Sequence, residues 1–130
     1  MERPEIVNVY ECDGCHVPKG WGEEIIICNH ELYCGKILVF KEGAKFSMHF
    51  HAVKDETWLV QSGMFKVIYI DTTDASHHEQ VLNIGDKWHN PPLMPHQLVC
   101  LVAGAIMEVS TADSVEDNYR VKAGDSQCAY

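Results

Sequence analysis

Residues 43–63, GAKFSMHFHAVKDETWLVQSG, decide how the rest of this chain is read. Side chains alternate faces along an extended strand, so His49 and His51 project together while Phe50 points the other way. Residues 52–55, Ala-Val-Lys-Asp, read as a bend, and Glu56 opens a second strand, ETWLV, that can swing back toward the two imidazoles. Two imidazoles and a carboxylate converging on one point suit a borderline divalent ion such as Zn²⁺, Fe²⁺, Mn²⁺, Co²⁺ or Ni²⁺. Any one of these residues alone is an ordinary strand residue. As a set they require a shared partner, because buried polar groups must be matched.

Outward from this stretch the chain is a series of short apolar runs separated by Gly, Pro, Asn or Asp. Strands are predicted at residues 5–10, 25–28, 32–41, 64–70, 79–84, 96–102 and 105–110, with Phe65, Val67 and Tyr69 on one side of theirs. Residues 71–76 read as a polar loop, which makes His77 and His78 solvated, and residues 113–117 offer a single helical turn. No long helical period is present, so the pattern predicts an all-β sandwich or barrel.

The central stretch resembles the first motif of the cupin superfamily at each of its specified positions, Gly43, His49, His51, Glu56 and Gly63. Residues 85–100, GDKWHNPPLMPHQLVC, are similar to the second motif from Gly85 through Pro91 to His96. Two positions depart from that motif: Leu93 stands where cupins have a glycine, and Cys100 where they have asparagine. The resemblance implies a double-stranded β-helix, a jelly-roll barrel formed as one cupin domain over residues 1–130. It also implies one divalent transition metal held by His49, His51, Glu56 and His96.

From Gly20 to Arg120 the chain further resembles the cupin domain of type II phosphomannose isomerases and the small cupins grouped with them. The similar segments are Gly20-Trp21-Gly22, Lys45-Phe46-Ser47-Met48, Lys54-Asp55-Glu56-Thr57-Trp58, Met107-Glu108-Val109-Ser110 and Glu116-Asp117 with Arg120. His49 stands where those enzymes usually have glutamine. This resemblance implies a mannose-6-phosphate isomerase-like, aldose–ketose activity on a sugar phosphate. Lys36, Lys45, Lys54 and Arg120 would then contact substrate, and Glu56 or Glu108 would move the proton; Glu108 could equally orient a ligand histidine. The alternatives are an Fe²⁺-dependent dioxygenase and a non-catalytic metal- or sugar-binding cupin. By the same resemblance a homodimer is expected, with residues 6–10 as the exchanged edge.

Composition bounds these readings. A chain of 130 residues with 46% hydrophobic residues can bury one core. A net charge of −9 argues against a nucleic-acid partner. No run approaches the roughly 20 apolar residues of a membrane span, and the first residues lack the pattern of a signal peptide, so no membrane partner and a cytoplasmic location are expected. The six cysteines are expected to be thiols, with Cys28, Cys34 and Cys100 acting as small hydrophobes. Cys12-Asp13-Gly14-Cys15-His16 matches a haem-attachment pattern literally, but an Asp-Gly turn flanked by two cysteines is the better reading.

Overall fold

A computed structural model of the chain describes residues 1–128. Its strands are β1 (His16–Lys19), β2 (Gly22–Asn29), β3 (Cys34–Phe40), β4 (Met48–Phe50), β5 (Glu56–Val60), β6 (Met64–Asp71), β7 (Ser76–Leu82), β8 (Lys87–Asn90), β9 (His96–Val102), β10 (Gly104–Ser110) and β11 (Tyr119–Lys122). They pair antiparallel in two sheets, ordered β1-β2-β3-β10-β5-β8 and β11-β4-β9-β6-β7. This is the all-β jelly-roll arrangement that the motif resemblance implies.

Alternation along the strands sends one set of side chains inward, and those at one end of the barrel are apolar. Phe40, Val60, Phe65, Val67, Leu98 and Ile106 are almost fully buried there. At about 25 cal/mol per Å² of apolar surface, this packing is the main stabilising contribution. The register aligns the columns: Phe65 and Val67 on β6 face Cys100 and Leu98 on β9, and Ile106 on β10 lies between Leu38 on β3 and Val60 on β5. Gly43, Gly63 and Gly85 take positive φ of 79°, 77° and 89°. At Gly63 a side chain would also run into the carbonyl oxygens of Val102 and Ala103.

Three expectations are corrected. Residues 5–10 form no strand, and Ile6, Val7 and Tyr10 are exposed without a pairing partner. Residues 113–117 form a single hydrogen-bonded turn, the Asp117 N–H donating to the Ser114 carbonyl at 3.1 Å, but no helix, and Asp113 and Asp117 bind other segments. The strand expected at 79–84 is β7, which starts at Ser76 and so includes His77 and His78, although both remain exposed. Among the described residues no helix is long and apolar enough to cross a membrane.

A candidate metal centre in a polar cup

The inward columns change character toward the other end of the barrel. Lys36 precedes Leu38 on β3, Glu56 precedes Trp58 on β5, His96 precedes Leu98 on β9, and Glu108 follows Ile106 on β10. Lys36, Glu56 and Glu108 line a cavity of about 490 Å³, the size of a small-molecule site, and His96 lies behind its wall against Glu56.

His49, His51 and His96 offer ligand atoms within 4.8 Å of one another. His49 on β4 pairs in register with His96 on β9, and His51 follows β4 by one residue, as the alternation predicts. Each ring is fixed through Nδ1. The His51 Nδ1–H donates to the Asp117 carbonyl at 2.6 Å, and the His96 Nδ1–H donates to the Met94 carbonyl at 3.0 Å. His49 Nδ1 lies 2.9 Å from Ser47 Oγ. A carbonyl can only accept, so Nε2 of His51 and His96 carries the free lone pair, as second-sphere partners arrange in metal sites. Burial lowers the pKa of His49 well below, and that of His51 below, the ordinary histidine value, which keeps both rings neutral.

Glu56 stands beside the histidines. Its Oε1 is 3.0 Å from His96 Nε2, yet that nitrogen, fully buried, has no hydrogen-bond partner. Two lone pairs facing one another without a shared proton are unfavourable alone. They are well placed around one cation, since ligands about 2.1 Å from a metal and at right angles to it lie roughly 3 Å apart. The residues therefore fit the implied metal.

Glu56 is itself held in place. Asn90 Nδ2 donates to its Oε1 at 3.3 Å, and Asn90 is oriented by the Trp88 indole N–H at 2.8 Å. Its Oε2 lies 3.1 Å from Lys54 Nζ, which also meets Glu108 at 2.9 Å and Asp113 at 3.2 Å. Asp113 reaches on to Lys36 at 2.7 Å, and Lys36 to Glu24 at 3.3 Å. Burial would depress the Lys54 ammonium, but Glu108, Glu56 and Asp113 outweigh it and hold its pKa above the ordinary lysine value. Burial would raise Glu56, but His96 and Lys54 keep it well below the usual carboxylate range. Burial, and then the charge on Glu56, push Glu108 up to about 8.

The structure therefore brings His49, His51, Glu56, Glu108, Lys36, Lys54 and Arg120 to one cavity, with His96 grouped with the other two histidines and in contact with Glu56. Lys45 lies off its wall, its backbone bridged to Val99. Lys36 and Lys54 are enclosed in ion pairs. Arg120, on β11 and paired in register with His49 on β4, and Lys19 also line the cup, and among the described residues neither has an ion-pair partner. Sequence reasoning missed Asp113, Asp117, Asn90 and Lys19. Asp117 accepts the backbone N–H groups of Ala52, Val53 and Lys54 and so shapes the bend between β4 and β5. Only Ser47 carried a usable signal, since it lies two positions before His49 on the same strand face.

No protein-family model matches the chain, and no curated protein matches it. Solved structures do. A Bacillus subtilis oxalate decarboxylase studied for its Mn(II) centres superposes with a TM-score of 0.72 at 17% identity, over 82% of this chain and 30% of that one. The formate complex of Lactobacillus farciminis oxalate decarboxylase gives 0.73 at 17% identity, over 92% and 38%. KdgF from Halomonas sp. gives 0.62 at 19% identity, over 72% and 81%. The chain thus spans about a third of the length of the oxalate decarboxylases and about four fifths of KdgF. At these identities the likeness establishes the fold, and the fold is that of the cupins.

Proposed function

We propose that the protein is a metal-dependent isomerase that interconverts the aldose and ketose forms of a sugar phosphate. The observation that supports this best is that three metal-ready imidazoles, two buried carboxyl groups bridged by Lys54 and two unpaired cations share one small polar cup. His49, His51 and His96, with Glu56 as the fourth ligand, would hold one divalent ion from the Zn, Mn, Fe, Co and Ni group. When bound, that ion would polarise a carbonyl and its neighbouring hydroxyl as a Lewis acid.

The remaining work falls to the chain. Glu108, in register between Lys36 on β3 and Trp58 on β5, is the group assigned to move the proton between adjacent carbons. Lys54 holds Glu108 and Glu56 in fixed relation, and Asp113 anchors both Lys54 and Lys36 so that neither lysine swings into the cup. Arg120 and Lys19 bind the phosphate, Arg120 by its planar fork. The rival oxygenase favours an apolar pocket without convergent cations, whereas this wall is charged. A homodimer would cover the exposed Ile6, Val7 and Tyr10, and sedimentation tests it.

The decisive assay incubates metal-loaded protein with hexose and pentose phosphates in deuterium oxide while following dissolved oxygen. The reading expects interconversion with deuterium entering beside the carbonyl and no oxygen uptake. Oxygen consumption would favour the dioxygenase, and thermal stabilisation by a sugar phosphate without exchange would favour a binding module. Arg120→Ala should raise KM for the phosphorylated sugar and leave the unphosphorylated one unchanged; equal loss on both removes Arg120 from the phosphate site.

A further inference from the structure

The cup leaves one sequence feature unused, the Cys12-Asp13-Gly14-Cys15-His16 segment that precedes β1. Residues Asp13–Cys15 form a 3-10 turn closed by the Cys15 N–H donating to the Cys12 carbonyl at 3.0 Å. In a 3-10 turn side chains three apart eclipse one another, and the closed turn keeps the two Cα atoms within about 7 Å. A disulfide spans Cα atoms roughly 4.4–6.8 Å apart, so the backbone already holds the pair near bonding geometry. The neighbouring Cys12 side chain raises the pKa of the Cys15 thiol above the ordinary value. Both residues are partly exposed, unlike the buried Cys34 and Cys100, and the space around Gly14 between them is open.

The neighbouring histidine narrows what such a pair can do. His16 Nδ1 is 2.9 Å from Glu23 Oε2, and its Nε2 is 2.8 Å from the Val9 carbonyl, so neither nitrogen is free for a metal or a haem iron. Among the described residues the only group of three metal donors is the histidine cluster of the cup. Two adjacent accessible thiols without a third ligand are suited to thiol–disulfide exchange.

We propose that Cys12 and Cys15 form a reversible redox-active dithiol whose oxidant is a small-molecule disulfide. One cysteine sulfur, as thiolate, attacks the external disulfide, whose S–S bond breaks to release one thiolate that takes up a proton. The second cysteine, losing its own proton, attacks the mixed disulfide and expels the other half of the reagent. The two cysteines are oxidised to an internal disulfide while one external disulfide is reduced to two thiols. The ring closes within the turn, so the metal ligands do not move.

The test treats the full, metal-loaded chain with glutathione disulfide, traps the remaining thiols and maps the bonds by mass spectrometry. Free thiols should fall by two of the six, with the new bond joining Cys12 to Cys15, reversal by dithiothreitol and unchanged metal content. Cys12→Ser should instead leave a stable glutathione adduct on Cys15, and Cys15→Ser one on Cys12. Stable adducts on both cysteines of the unsubstituted chain, a bond to any other cysteine, or no reaction at this pair would each overturn the proposal.

Discussion

The two ends of the barrel interior are built by the same strands, two residues apart, and hold together by different physics. At the closed end Phe40, Val60, Phe65, Leu98 and Ile106 need only area and fit. At the open end Lys36, Lys54, Glu56, His96 and Glu108 are as deeply buried, and each is there because a partner meets it. The comparison teaches that the apolar end contributes the stability and the polar end, costly by itself, contributes the chemistry. Among the described residues two buried side-chain atoms lack a hydrogen bond, Trp58 Nε1 and His96 Nε2, and only the histidine nitrogen can serve as a metal ligand.

Substitutions at each end, and then beyond them, test this comparison, in order of expected size. Phe65→Ala, at a residue with no exposed surface, should cost about 3–5 kcal/mol in a denaturant titration, with the metal content of the folded fraction unchanged. If metal is lost in proportion, the ends are not separable. Lys54→Met should destabilise by roughly 3 kcal/mol, because it strands Glu56, Glu108 and Asp113 beside one another. Adding Glu108→Gln should recover part of that loss; no recovery would mean that the ammonium does not hold the carboxylates together.

The third effect is a gain. Leu93 has φ 73°, the left-handed region, at the position where the second motif expects glycine. Its N–H donates to the His51 carbonyl at 2.7 Å, so the turn braces the metal-ligand backbone while carrying strain. Leu93→Gly should stabilise by roughly 0.5–1 kcal/mol, the relief of left-handed strain less glycine's extra entropy. A loss of stability would show that the exposed leucine side chain matters more than its backbone.

The smallest effect lies outside both ends. The hydrogen bond to Glu23 raises the pKa of His16 above the ordinary histidine value. This contribution to stability is fully present below the ordinary histidine pKa and is lost as pH rises through the elevated folded value. An NMR titration should find the His16 midpoint raised and lowered again by Glu23→Gln; an unmoved midpoint would exclude the pair in solution.

Part of the apolar end was legible in the sequence, since hydrophobic alternation on β6 points directly to Phe65 and Val67. The histidine fork was legible for the same reason, as it rests on a period of two. Strands β1, β8 and β11 were not, because each is four residues long with at most one buried residue, leaving little apolar pattern to read. Residues 5–10 misled in the opposite sense: Ile6 and Val7 look like a strand, but none of the described residues pairs with them. The pairing of Lys54 with three carboxylates was illegible because two of them, Glu108 and Asp113, lie more than fifty positions away and in no repeating relation to it.

The central claim is that His49, His51 and His96 converge, through Nε2, on a single divalent ion. It is tested most directly by equilibrium dialysis of the purified chain against Mn²⁺, Co²⁺ or Zn²⁺ followed by elemental analysis, in parallel with His96→Ala. The account predicts one ion per chain for the unsubstituted protein and loss of it in the variant, with circular dichroism showing the strands retained. Equal metal content in the two proteins, or none in either, would contradict it.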